Sequence, residues 1–245
     1  MTYIRRAMAI RLVFVIAFIL AIWGNNPLYG QNLTSLFYST SDLHDDMSFS
    51  DLMQKYWDWW INIPNAPGAP PGTSPFPITE CDIKDLGKVV FLVDALKVGH
   101  DTNYSCHLDE GKSLFFPLLT SEYDRGLEGY ENATIQQLED AAKQENTGDS
   151  ATLRIDNKSI DPVFLNNINT ISLPWNITTN QTGNHYDAPV GNFTGVVYGN
   201  FAYLKPLDRG PHEIQIKASQ TDKTPENPEV LQASDVTITY KIIVD

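Results

Sequence analysis

The chain has 245 residues and a formal net charge of −13, with 42% hydrophobic and 19% charged residues. This is an ordinary globular mixture with enough apolar material for a core, and its length fits one large domain or two small ones. The surplus of acids is repelled by phosphate backbones and anionic membrane surfaces, which excludes nucleic acid as a partner.

Arg5, Arg6 and Arg11 form a basic leader, Leu12–Trp23 is an unbroken apolar run, and Gly30 precedes a cut at Gln31. That is the pattern of a secretory signal peptide over residues 1–30. The run is shorter than the roughly 20 residues a spanning helix needs, and no later segment is apolar enough to span. The mature chain is expected to be secreted or held at the outer cell surface, and not an integral membrane protein once the signal is cleaved. An uncleaved anchor is the alternative.

Residues 31–47 read as a polar lead-in. A helix is expected over 48–63, announced by Ser48 with Asp51 three positions on, a capping box. Projection at 100° per residue gathers Trp59, Leu52, Ile63, Tyr56, Phe49, Trp60, Met53 and Trp57 into one arc, with Ser50, Gln54, Asp58, Asp51 and Lys55 opposite. Trp60 lies near the centre of the arc and Trp57 and Trp59 at its edges, where partial exposure is expected. Pro64, Pro67, Pro70, Pro71, Pro75 and Pro77 then keep residues 64–78 extended as a surface strap.

Strands are expected at 88–96, 113–123, 151–156, 171–177, 195–207, 212–219 and 235–244, from apolar runs, alternation and β-branched content. Pro174 marks an edge or a bulge. A short amphipathic helix over 134–145 is capped by Thr134 with Gln137. The last strand puts Val236, Ile238, Tyr240 and Ile242 on one face and Thr237, Thr239, Lys241 and Ile243 on the other. The sum is a mainly β chain, an antiparallel β-sandwich of jelly-roll or Ig-like type over 48–245, with one N-terminal Trp-rich helix and one short inserted helix.

Cys81 and Cys106, an even count in an exported chain, read as one disulfide, and a loop of that length is credited with roughly 3 kcal/mol. Acceptor triplets N-x-[ST] begin at Asn32, Asn103, Asn132, Asn157, Asn176, Asn180 and Asn192, about three times the number the composition gives by chance. N-glycosylation is the reading.

The order of these features is itself a signature. A Trp-rich helix and proline strap are followed by SCHLDEGKSLFFPLL (105–119), LRIDNKSID (153–161), YLKPLDRGPHEIQIKASQ (203–220) and a VTITYKIIV ending. The chain resembles a family of uncharacterised secreted proteins with W-x-x-W helices, a C-x-V-P-A-G-K-x-L-F-F-P core and an L-x-P-L-x-x-G-x-H-x-I hairpin. The similarity covers most of the mature chain. Leu108-Asp109-Glu110 stand where that family has V-P-A. The resemblance implies fold and address and no activity.

Catalytic signatures such as G-x-S-x-G, H-E-x-x-H or a phosphate-binding loop are absent from the sequence. His44-Asp45-Asp46 are adjacent residues, which seldom converge on one ion. No cofactor is expected, with Ca²⁺ the one ion considered, on Asp156 and Asp161 in a sandwich loop. Three functional readings follow. The first is an exported glycoprotein with a structural or binding role and no evident catalytic site, partnered by an extracellular polysaccharide or envelope protein. The second is a carbohydrate-binding module stacking sugars on Trp57, Trp59 or Trp175. The third is a hydrolase built on acids, with Glu122, Asp124 and Asp58 as its least arbitrary members.

Overall fold

The structure is a computed structural model and describes residues 33–43, 46–64, 80–81, 84–94, 101–180, 182–184, 188–221 and 233–245. The expected signal sequence, the expected strap beyond Pro64, Asn32, His44, His100 and His185 lie outside the described residues. The fold described below is the compact unit Thr34–Asp245.

Helix α1 spans Phe49–Trp60, and the Ser48–Asp51 capping box closes its N-terminus in both directions. Ser48 hydrogen bonding holds the Asp51 carboxyl below its ordinary pKa. Helix α2 spans Ile135–Glu145 behind the Thr134–Gln137 box, and a short helix α3, Pro162–Asn167, starts at an Asp161 cap. The strands are β1 (Lys84–Asp85), β2 (Val89–Phe91), β3 (Thr102–Leu108), β4 (Ser113–Asp124), β5 (Ser150–Ile155) and β6 (Lys158–Ser159). They continue with β7 (Asn169–Ile171), β8 (Trp175–Thr179), β9 (Gly191–Leu204), β10 (Gly210–Thr221) and β11 (Ala233–Val244).

Two sheets result. One runs β1-β2-β4-β9-β7 with β8 also beside β9; the other runs β3-β11-β10-β5-β6. The mainly β sandwich is therefore present, but each sheet is mixed. β2 runs parallel to β4 and β3 parallel to β11, where antiparallel pairing throughout was expected. A parallel pair needs a crossover between its strands, and a lone strand's alternation carries no information about its neighbour's direction. Further differences concern local elements. Strands β1, β3 and β6 and helix α3 were not foreseen, and the strand expected over 88–96 ends as β2 at Phe91. Pro174 splits the expected 171–177 strand into β7 and β8, both edge partners of β9. The polar lead-in contributes to the core, because Phe37 is buried and bridges Leu204.

Helix α1 lies on one face of the first sheet, where Tyr56 meets Phe91, Phe115 and Phe201 at ring separations of 5.4, 6.3 and 5.7 Å. The other face meets the second sheet, with Phe116 against Tyr240. Segment 92–94, leaving the end of β2, is held from both sides. The Tyr56 hydroxyl donates to Leu92 O at 3.1 Å, Tyr240 to Val93 O at 2.9 Å and Tyr104 to Asp94 O at 2.7 Å. Complete burial pushes the Tyr240 hydroxyl well above its ordinary pKa, so it stays a donor. The foreseen alternation of β11 holds from Tyr240 on, with Tyr240 and Ile242 buried and Lys241 and Ile243 exposed, but Thr239, expected on the outer face, is buried beside Ile238.

Cys81 and Cys106 form the disulfide, both buried, with Cα atoms 5.2 Å apart. Beside it, Cys81 N donates to Ser105 O. Removing the Tyr240 hydroxyl strands the Val93 carbonyl in the interior, so Tyr240→Phe is expected to cost about 1–3 kcal/mol, read as a lower denaturant midpoint at unchanged m-value.

Candidate functional site

The tryptophans occupy three different environments. Trp57, expected at an exposed edge, is buried at 5% exposure, and Trp60 is buried at 2%. Trp59 is half-buried, its ring 5.4 Å from Tyr56, 5.8 Å from Trp60 and 6.0 Å from Phe91. Trp175 sits on β8, half-buried, and its indole N–H donates to Asp58 Oδ1 at 3.1 Å.

The polar side of α1 is not simply solvated. Leu173 N donates to Ser50 Oγ, and Gln54 donates to Leu173 O. Asn62 donates to Thr178 O and accepts from Asn180 N. Positions 50, 54, 58 and 62 recur every fourth residue and so lie along one side of the helix. That row is laid against the outer edge of β8. Burial raises the Asp58 carboxyl above its usual range, opposed by hydrogen bonds from Trp175 and the Thr178 backbone.

Glu122 and Asp124 are brought together. A bulge between Pro117 and Leu119 slips the β4–β9 register by one residue. Gly199 faces it at φ +143°, and a Cβ there would lie 2.2 Å from Leu119 O. Beyond the bulge Thr120, Glu122 and Asp124 join the face that carries Phe115 and Pro117, the face under α1. Gly195 opposite them admits the acids; a Cβ there would stand 3.0 Å from Glu122 Oε1 and 2.8 Å from Asp124 Cβ.

Glu122 Oε1 is shut off from solvent with no hydrogen-bond partner. Burial first, then the Asp124 charge and a hydrogen bond to Asp124, push the Glu122 carboxyl well above its ordinary value. Asp124 is also raised, by burial, against donation from the Gly126 and Leu127 backbone. Both carboxyls are thus held above their ordinary range, and burial is the first cause for each. On the far face of β4, burial raises both Glu145 and the Tyr123 hydroxyl, which are bonded to each other.

Glycoside hydrolysis needs its two carboxyls about 5–10 Å apart around a sugar-sized cleft. Here two acids touch under a helix, and the clefts found among the described residues lie elsewhere.

The larger of those clefts, open and about 470 Å³, is lined by Asn157, Pro211, His212, Glu213, Lys241 and Ile243 among others. At its side the chain turns through Asp156 and Asn157, at φ +48° and +63°, the left-handed pair that a two-residue hairpin of this kind requires. Asp156 accepts from the His212 ring at 2.8 Å and from Glu213 N at 2.9 Å, while the other His212 nitrogen faces Asp208 O at 2.7 Å. Both ring nitrogens thus meet acceptors, an arrangement that the imidazolium alone satisfies fully. Burial alone would lower the His212 pKa, but these hydrogen bonds outweigh it and the value is raised.

Asp156 and Asp161, considered for Ca²⁺, have separate tasks, because Asp161 caps α3 by accepting from Val163 N at 2.8 Å. Among the described residues no group of three or more His, Cys, Asp or Glu side chains is placed to hold a metal ion.

The six described sequon asparagines, Asn103, Asn132, Asn157, Asn176, Asn180 and Asn192, are all exposed. Asparagines outside sequons divide differently. Asn62, Asn146, Asn184 and Asn200 are half-buried or buried and bond backbone carbonyls, whereas Asn166, Asn167 and Asn169 are exposed. Two sequons also interlock across β8 and β9. Thr194 donates to Asn176 Oδ1 at 3.1 Å and Thr178 to Asn192 Oδ1 at 2.7 Å, each hydroxyl belonging to the other's triplet.

No protein-family model matches the chain, and no curated protein sequence matches it. Among solved structures, the chain is similar to one from the structure of PbICP-C in complex with falcipain-2. That match has 15% identity, covers 65% of this chain and 100% of the other, and has a TM-score of 0.25. A second is the cysteine protease inhibitor EhICP2 from Entamoeba histolytica, at 12% identity, 60% and 95% coverage and a TM-score of 0.20. A third is Amebosin, at 10% identity, 60% and 97% coverage and a TM-score of 0.19. TM-scores of this size carry no argument for a shared fold or a shared partner.

Both proton-holding sites shift stability with pH in the same sense. A group whose folded pKa is raised binds more protons folded than unfolded, so stability falls as pH rises through the folded value. For His212 the contribution is full below the ordinary value of 6.5 and lost above the raised one. For Glu122 it is full below 4.5 and lost as pH climbs through its raised value. The melting temperature is expected to rise as pH falls from mildly alkaline to mildly acidic. Glu122→Gln should raise it at alkaline pH and flatten the acidic part of the profile, whereas His212→Gln should flatten the part near neutrality. Profiles parallel to wild type in both variants would remove these two residues as the cause.

Proposed function

We propose that this chain is an exported, N-glycosylated sandwich protein that acts by binding a macromolecule outside the cell. The observation that carries the reading is the exposure of every described sequon asparagine, set against the four asparagines outside sequons that are tied into the interior. An acceptor amide has to reach the transferase and then project a bulky hydrophilic glycan into solvent. The buried disulfide agrees with an oxidising compartment, and no described helix is long and apolar enough to cross a membrane.

Binding is favoured over turnover because the perturbed carboxyls are packed against each other rather than around a cleft. Of the ionic groups that line the larger cleft, Asp156 and His212 satisfy one another. An envelope or extracellular protein fits the open, mixed-charge surface at Pro211–Glu213 and Lys241–Ile243 better than a polysaccharide does. Saccharide stacking would fall to Trp59 and Trp175 alone, since Trp57 is closed off.

The test is expression of the full chain in a eukaryotic secretory host, followed by intact-mass and N-terminal analysis of the medium. The expected product begins at Gln31 and loses several glycan masses on endoglycosidase treatment. A cell-retained or unglycosylated chain would overturn the reading.

A further inference from the structure

We propose that N-glycans cap the open edges of both sheets and so keep the protein from pairing edge to edge with its own copies. The inference rests on the glycoprotein reading and assigns the glycans a task. Attachment itself is ordinary transfer. Asparagine Nδ2 attacks the anomeric carbon of a lipid-linked oligosaccharide, the pyrophosphate lipid leaves, and the amide gives up one proton.

A sheet edge presents unpaired N–H and C=O groups that template another strand, and proteins blunt such edges with charge, short strands or a covering element. The two sheets have four edges. In the second sheet β3 is one edge and Asn103 stands on it, exposed. Glu80 bridges that edge at Ser105, two residues further along, so chain covers one part of it and the sequon marks another. The opposite edge is β6, and Asn157 immediately precedes it at the tip of the β5–β6 hairpin.

In the first sheet β8 lies at an edge. Helix α1 covers its outer side at Leu173, Trp175, Thr178 and Asn180, through Ser50, Gln54, Asp58 and Asn62. Asn176 lies between the Trp175 and Thr178 contacts and is exposed. The remaining edge, β1, is two residues long and carries Lys84 and Asp85, a length and charge that already discourage pairing. Strands β3, β6 and β8 thus each have a sequon on them or next to them, whereas β7, the three-residue strand that lies with β8 along the outer side of β9, has none. Asn132, in the loop before α2, serves as a control because it adjoins no edge.

The experiment uses the secreted, full-length glycoprotein. Site occupancy is measured by mass spectrometry. Association is measured by size-exclusion chromatography with light scattering across a concentration series, for wild type, N132Q and the triple variant N103Q/N157Q/N176Q. Wild-type protein trimmed by endoglycosidase in its folded state supplies the same comparison without asking a variant to fold. With the sites occupied, wild type and N132Q should stay monomeric, while the triple variant and the trimmed protein rise to about twice the monomer mass or beyond as concentration increases. If the glycans are present and trimming leaves the mass of a monomer, edge capping is wrong while the glycoprotein reading survives. Absence of glycan mass from every site would sink both.

Discussion

Three successive carbonyls, those of Leu92, Val93 and Asp94, organise the molecule. They belong to the segment that leaves the end of β2. A buried carbonyl without a donor is costly. The three donors come from three different places, Tyr56 of α1, Tyr240 of β11 and Tyr104 of β3. One hydroxyl therefore arrives from the helix layer and two from the second sheet, so all three layers are registered against one short stretch of backbone. Tyr104 and Tyr240 also stack on each other at 5.6 Å, which fixes the parallel β3–β11 pair at the point where its hydroxyls are used. The disulfide lies on the same strand, two residues from Tyr104, and ties β3 to residue 81.

Much of the fold was legible because its period is strong. The apolar arc of α1, both capping boxes and the alternation of β11 are local signals, and local signals survive folding. The question of core or platform for the tryptophans was answered by position on that arc for Trp60 and missed for Trp57. The reason is a layer the helix projection does not contain. An arc edge is exposed only if nothing lies beside it, and here the edge of the first sheet does. The Ser50–Gln54–Asp58–Asn62 row misled for the same reason. A polar stripe that bonds the edge of a strand has the composition of one that bonds water.

The acid pair was hidden by a single residue. Read as a straight strand, 113–123 places Glu122 on the same side as Phe116, facing the second sheet. The bulge after Pro117 shifts the pleat by one position and moves Glu122 and Asp124 to the face under α1. Neither Pro117 nor Gly199 alone announces a bulge, though a proline that cannot donate to the ladder on one side of it, and a glycine with room for the Leu119 carbonyl on the other, together make one cheap. Parallel neighbours were equally out of reach, since strand direction depends on chain that lies outside the strands themselves.

The asparagines show how the same residue type serves two opposite needs. Where the fold requires a side-chain amide inside, as at Asn146 and Asn200, it donates to backbone carbonyls of neighbouring elements, Tyr198 of β9 and Leu165 of α3. The sequons lie in the other population, on strand edges, hairpin tips and loops, where the amide is directed to solvent. Even the interlocked pair on β8 and β9 keeps this division. Asn176 and Asn192 use their carbonyl oxygens to accept from Thr194 and Thr178. That geometry leaves each Nδ2, the atom to which an N-glycan would be joined, outside the cross-strand bond. A glycan on either residue would thus be compatible with the β8–β9 ladder. The two threonine hydroxyls, one from each triplet, are part of what holds the edge strand in place.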